Sequence, residues 1–144
     1  MSDADVLSDM IIEQMADALI CIDARGQVVR WNLAASNMFG YSASEMLGGS
    51  LDPIIPEHLR AAHWAGFNAA MSSGCTKLQG HPTLTRAVHK NGHKLYVEMT
   101  FALVKEKNGP AMGSVAVARD VTEKVERERA ARARATSGKV EPAS

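Results

Sequence analysis

Between residues 93 and 105 two sets of side chains alternate: Leu95, Val97, Met99, Phe101 and Leu103 against Tyr96, Glu98, Thr100 and Ala102. A period of two is a strand with one face in and one face out. Lys90-Asn91-Gly92-His93 leads into it, and Asn-Gly is the strongest short hairpin signal, so a partner strand is expected over 82–90. A second pair, Asn108-Gly109, turns the chain into a strand expected over 111–117. Strands joined this way form an antiparallel sheet whose apolar face needs a covering layer.

The first half of the chain supplies two more strands and that layer. Residues 3–16 read as a helix capped by Asp3 or Asp5, with Leu7, Met10, Ile11, Gln14 and Met15 on one face. Residues 18–23 form a buried strand, Ala24-Arg25-Gly26 a turn, and 27–31 the returning strand. Asn32 caps a helix carrying Ala34, Ala35, Met38 and Phe39, which Gly40 ends. Ser42 and Glu45 stand at capping-box spacing for a short helix stopped by Gly48-Gly49. Beyond Pro53 and Pro56, residues 57–73 form a long helix with Leu59, Ala62, His63, Gly66, Phe67 and Ala70 on one face, closed by Gly74. A final helix starts at Thr122, with Glu123/Arg127 and Glu128/Arg132 at the favourable i, i+4 spacing. The fold class is α+β. The expected divisions are a flanking helix over 1–16, a core domain over 17–121, an exit helix over 122–136 and a disordered tail over 137–144.

Charge narrows the function. Sixteen basic residues balance sixteen acidic ones, which argues against a nucleic-acid or membrane-surface partner. No apolar run is long enough to span a bilayer, the acidic N-terminus is no signal peptide, and the expected location is the cytoplasm. Cys21 and Cys75 form neither a CxxC nor a zinc spacing; both read as reduced, Cys21 buried and Cys75 in a loop. Paired carboxylates, a nucleophile with its base and a phosphate-cradling glycine loop are missing, so turnover is not expected.

An ordered series of phrases resembles the PAS domain family. Ile22-Asp23-Ala24-Arg25-Gly26-Gln27-Val28 with Trp31-Asn32 resembles its first hairpin and the Asn that opens the next helix. Ala34-Ala35, then Met38-Phe39-Gly40-Tyr41, follows; Leu47-Gly48 precedes Ile54-Ile55-Pro56-Glu57. Lys90-Asn91-Gly92 opens the long strand, and Val117-Ala118-Arg119-Asp120-Val121-Thr122-Glu123 leads into the exit helix. The resemblance covers residues 8–123. It implies a five-stranded antiparallel sheet with helices on one face, a ligand pocket between them, a homodimer through the N-terminal helix, and an output or kinase partner.

The family hosts several cofactors, so the choice rests on the site. Flavin photosensors of the LOV type carry an Asn-Cys-Arg-Phe phrase that does not occur here; a flavin held without it stays open. Ile55-Pro56-Glu57-His58-Leu59-Arg60-Ala61-Ala62-His63 resembles the haem-binding PAS oxygen sensors, in which the axial histidine stands seven residues after the proline. The resemblance implies haem b, with His63 and His81 as metal ligands and Met99 as an alternative distal ligand. Leu59, Phe67, Val97 and Phe101 would line the pocket, and Arg86, with His89, would meet the propionates. Thr83 stands where those sensors place an oxygen-stabilising arginine, which favours redox, CO or NO sensing. His58, His89 and His93 otherwise read as surface residues. Two alternatives remain: a haem-free pocket for a small organic ligand, and a dimerisation or protein-interaction module.

Overall fold

The computed structural model describes residues 2–76 and 80–140, and side chains as far as residue 136. Five strands form one sheet: β1 (Ala18–Asp23), β2 (Val28–Trp31), β3 (Thr83–Val88), β4 (Lys94–Lys105) and β5 (Ala111–Asp120). Their spatial order is β2-β1-β5-β4-β3, with every neighbouring pair antiparallel. Ala18, Ile20 and Ile22 of β1, Leu95, Val97 and Met99 of β4, and Ala116 and Ala118 of β5 are buried on one face. β5 runs three residues past the expected end, because Ala118 pairs with both Ala18 and Met99.

Helices α2 (Leu33–Phe39), α3 (Ala43–Met46) and α4 (Arg60–Ser73) fill the middle of the chain, with 3-10 turns at Asp52–Ile54 and Glu57–Leu59. Ser42 and Glu45 make the expected capping box, and Gly40 ends α2. Lys90 Nζ lies 2.6 Å from Glu45 Oε2 and, with the Ser42 backbone, lowers the Glu45 carboxyl to about 2. Phe39 is fully buried and meets Trp31 at 5.5 Å between ring centres; the Trp31 indole donates to the Tyr41 carbonyl.

Two helices flank this core. In α1 (Asp3–Gln14) the cap is Ser2, and Asp5 is its reciprocal partner in a capping box. Ser2 holds the extended backbone that a cap needs, whereas Asp3 and Asp5 are already helical. Ile12 and Met15 are half-buried; Val6, Leu7, Met10 and Ile11 point away from the domain, 43 to 57% exposed. The exit helix α5 (Thr122–Val140) extends four residues past the expected end, so residues 137–140 are helical rather than part of a disordered tail. Residues 141–144 of the expected tail lie outside the described residues.

Cys21 is only half-buried, since the alternation that turns Ile20 and Ile22 inward turns Cys21 to the other face. Burial still raises its thiol pKa. Cys75 is exposed, and both cysteines are free. No helix among the described residues is long and apolar enough to cross a membrane.

Candidate functional site

The helix α4 carries aromatic side chains but has no fully buried residue. Its half-buried positions are Arg60, His63, Trp64, Phe67, Ala70 and Met71, whereas Ala62 and Gly66 are exposed. The inward face is therefore rotated from the expected one, because Trp64 rather than the small residues sets it. Leu59, Trp64, Phe67 and Phe101 pack against the core that contains Val97 and Met99. Six of the expected residues, His63, Leu59, Phe67, Val97, Met99 and Phe101, thus fall on the layer between α4 and the inner sheet face. Thr83 joins that face opposite Met99.

Trp64 organises this layer. Its indole N–H donates to Asp52 Oδ1 at 2.7 Å. Its ring stands edge-on to Phe67 at 5.6 Å and to His63 at 4.5 Å. Gly26, with φ +82°, lies beneath the indole; a Cβ there would fall 2.8 Å from Trp64 Cζ3. The turn between β1 and β2 must therefore stay bare for α4 to seat. Sequence reasoning passed over Trp64 although its spacing to Phe67, i to i+3, marks a shared helix face.

His63 differs from its neighbours. Its Nδ1 is buried and has no hydrogen-bond partner among the described residues. Burial lowers the imidazole pKa from its ordinary value, only partly opposed by the Asp52 carboxylate. A desolvated ring favours its neutral form, which has a free nitrogen lone pair. This is the donor chemistry that an axial haem ligand needs. An unpaired buried nitrogen costs about 1–3 kcal/mol unless something satisfies it.

The remaining expected residues sit elsewhere. His81 is exposed, two residues before β3. Arg86 is exposed and lies across from Tyr96 in the β3–β4 register. Because Ala87 points inward, Arg86 points to the opposite sheet face and cannot share a propionate site with the inner layer. His89 is half-buried rather than a surface residue: its imidazole covers Gly40, and its Nδ1 accepts from the Asn91 backbone N–H at 3.1 Å. It is committed to the hairpin. His58 and His93 are exposed as expected. No cluster of three or more His, Cys, Asp or Glu side chains placed to hold a metal occurs among the described residues. A haem iron asks less of the protein than such a cluster, because the macrocycle supplies four ligands itself. The donor set thus fits the proximal half of a haem site through His63.

Among proteins of known sequence, the chain is 28% identical over 126 residues to the oxygen sensor protein DosP of Escherichia coli, covering 85% of this chain. It is 25% identical over 121 residues to an uncharacterised protein of Azorhizobium caulinodans, covering 83% of this chain. The chain spans only 16% of the length of each of these relatives. Among solved structures, a PAS domain from Colwellia psychrerythraea superposes with a TM-score of 0.71 at 20% identity, over 84% of this chain and 99% of that one. An RNA-binding light-oxygen-voltage receptor superposes with a TM-score of 0.70 at 23% identity, over 93% of this chain and 37% of that one. These likenesses establish the fold: a five-stranded antiparallel sheet with helices on its inner face. The PAS domain family matches residues 16–123, the whole sheet and its helical cover, and the chain belongs to that family.

Proposed function

We propose that this sensory domain holds haem b against the inner sheet face through His63 and responds to a diatomic gas or to redox state. The observation that carries the reading is the buried Nδ1 of His63, without a hydrogen-bond partner among the described residues, on a helix face beside Trp64 and Phe67. The 28% identity to an oxygen sensor protein supports it. Haem, when bound, supplies an iron that takes up diatomic gases and changes oxidation state. His63 would hold it; Trp64 and Phe67 would orient the imidazole; Val97, Met99 and Phe101 would exclude water. Binding rather than turnover is the role these residues fit.

The sheet connects this layer to the exit helix. Val121 donates its N–H to the Tyr96 carbonyl at 2.9 Å, and the Tyr96 N–H donates to Thr122 Oγ1 at 2.9 Å. Tyr96 lies between Leu95 and Val97 of the inner face, so a shift of β4 moves the first turn of α5 with it. Titrating the purified chain with haemin should give one sharp Soret band at one equivalent. His63→Ala is expected to lose that band and to weaken haem retention roughly tenfold or more; His81→Ala should leave it. A His63→Ala band identical to that of the parent chain would remove His63 from the site.

We further propose that the partner at α1 is a second copy of this chain. Val6, Leu7, Met10 and Ile11 form an apolar stripe that the domain leaves uncovered, and such a stripe meets its own kind across a two-fold axis. Sedimentation equilibrium should show a dimer that Ile11→Glu converts to a monomer. A monomeric parent chain at micromolar concentration would end this reading.

A further inference from the structure

The β3 edge of the sheet carries a second feature. A cleft of about 320 Å³ lies where the sheet edge meets the exit helix, lined by His58, Leu59, Leu84, Thr85, Arg86, Tyr96 and Arg129. It straddles β3, the edge strand of the sheet. On one side it reaches the turn leading into α4, and on the other it reaches α5. Its volume is at the lower end of the roughly 300–1,000 Å³ typical of small-molecule pockets.

The lining is charged in one sense. Arg86 and Arg129 both sit over the Tyr96 ring, with guanidinium carbons 5.8 and 4.8 Å from its centre. His58 stands at the same cleft. The ion pairs among the described residues join Arg30 to Asp9, Lys90 to Glu45 and Arg119 to Asp17, and none involves Arg86 or Arg129. Glu98, on the same sheet face, pairs in register with Leu84 and Arg119 and makes no ion pair with either cleft arginine. The ring face relieves part of the repulsion between the two cations, by about 0.5–1 kcal/mol per contact at exposed sites. An oxyanion between them would relieve the rest, since the guanidinium fork matches carboxylate and phosphate oxygens. Leu59 and Leu84, the latter 57% exposed, offer an apolar wall beside the charges.

We propose that this cleft is a second ligand site, for a small organic oxyanion whose carboxylate or phosphate ester carries a short apolar or aryl group. The anion bridges Arg86 of β3 and Arg129 of α5, while the apolar group rests on Leu59 and Leu84. Its occupancy fastens the exit helix to the sheet. The site shares Leu59 with the layer under α4 and does not include His63.

Calorimetric titration of the full chain with benzoate, phenyl phosphate, benzyl alcohol and inorganic phosphate tests it. Benzoate or phenyl phosphate should bind with one-to-one stoichiometry, and which of the two binds more tightly identifies the oxyanion. Arg86→Gln and Arg129→Gln should each weaken that binding roughly five- to tenfold, whereas Arg127→Gln, outside the cleft, should not. Amide hydrogen exchange in α5 should slow when the aryl oxyanion is present. Three results would overturn the proposal: no binding by either aryl oxyanion, equal binding by benzyl alcohol or inorganic phosphate, or an Arg127→Gln loss equal to that at Arg129. Circular dichroism melts of the variants confirm that each is folded, so a weakened titration reads on the site.

Discussion

Asn32→Ala is expected to destabilise the domain by about 4 kcal/mol, the largest loss from any single polar side chain. Asn32 is 1% exposed, and all four hydrogen-bonding sites of its amide are committed. Its Oδ1 accepts from the backbone N–H of Leu19 at 2.9 Å and of Ala35 at 3.0 Å. Its Nδ2 donates to the carbonyls of Ile12 at 2.8 Å and Asp17 at 3.1 Å. One side chain therefore ties α1, the segment before β1, β1 itself and the start of α2. Alanine would leave two donors and two acceptors without this partner, one bond of the four fully buried and three part-buried. The melting temperature should fall by roughly 10–15 °C. Asn32→Asp separates the two halves of the cluster. It keeps both accepted bonds but sets a carboxylate oxygen against the Ile12 and Asp17 carbonyls. Asn32→Asp should therefore be as unstable as the alanine variant at neutral pH, and should recover in part as acid protonates the carboxyl. Hydrogen exchange over residues 3–14 should accelerate in both, because the bond to Ile12 helps to fasten α1 to the domain. A loss under about 1 kcal/mol would show that water enters and replaces the amide.

What the sequence reveals follows from how local each signal is. The span of β1, the Asn32 cap and the Ser42–Glu45 capping box are legible because their cause lies within a few residues. The alternation through β4 survives intact, with Leu95, Val97 and Met99 buried. The α4 face is legible only to within a rotation. Ala62 and Gly66 fit either side of a helix, so a pattern drawn through them has no direction, and Trp64 decides it. Cys21 shows the same ambiguity in a strand: a run of six mostly apolar residues does not say which three point inward. At the site, His63 is readable from its place after Pro56, and its unpaired nitrogen is not. The cleft between Arg86, Tyr96 and Arg129 is invisible in the sequence, because it needs the β3–β4 register and the return of α5 at once.

Gly113→Ala is expected to cost about 3 kcal/mol or more, through backbone rather than side-chain contact. Gly113 lies opposite Asp23 where β5 pairs with β1. A Cβ at this position would collide with the Ile22 carbonyl oxygen and come within 3.1 Å of Asp23 Cα. Neither atom belongs to a side chain that can rotate aside. The methyl would fit only if β1 and β5 moved apart, which weakens the adjoining Ile22–Ser114 pair as well. Gly109 supplies the control: a Cβ there would have its nearest neighbour 3.4 Å away, at Glu106, so Gly109→Ala should change stability by less than about 1 kcal/mol. Urea unfolding should show a lower midpoint for Gly113→Ala and an unchanged slope, since the same surface is exposed on unfolding. Equal midpoints for the two variants would mean that the strands yield without cost. The position matters because β1 and β5 form the seam of the sheet. On one side β2 carries the chain into the helical cover; on the other β4 leads to the inner face at His63 and to the first turn of α5. Prising that seam open separates β1 and β2, with the helices that follow them, from the β4–β5 half of the sheet that holds the first turn of α5.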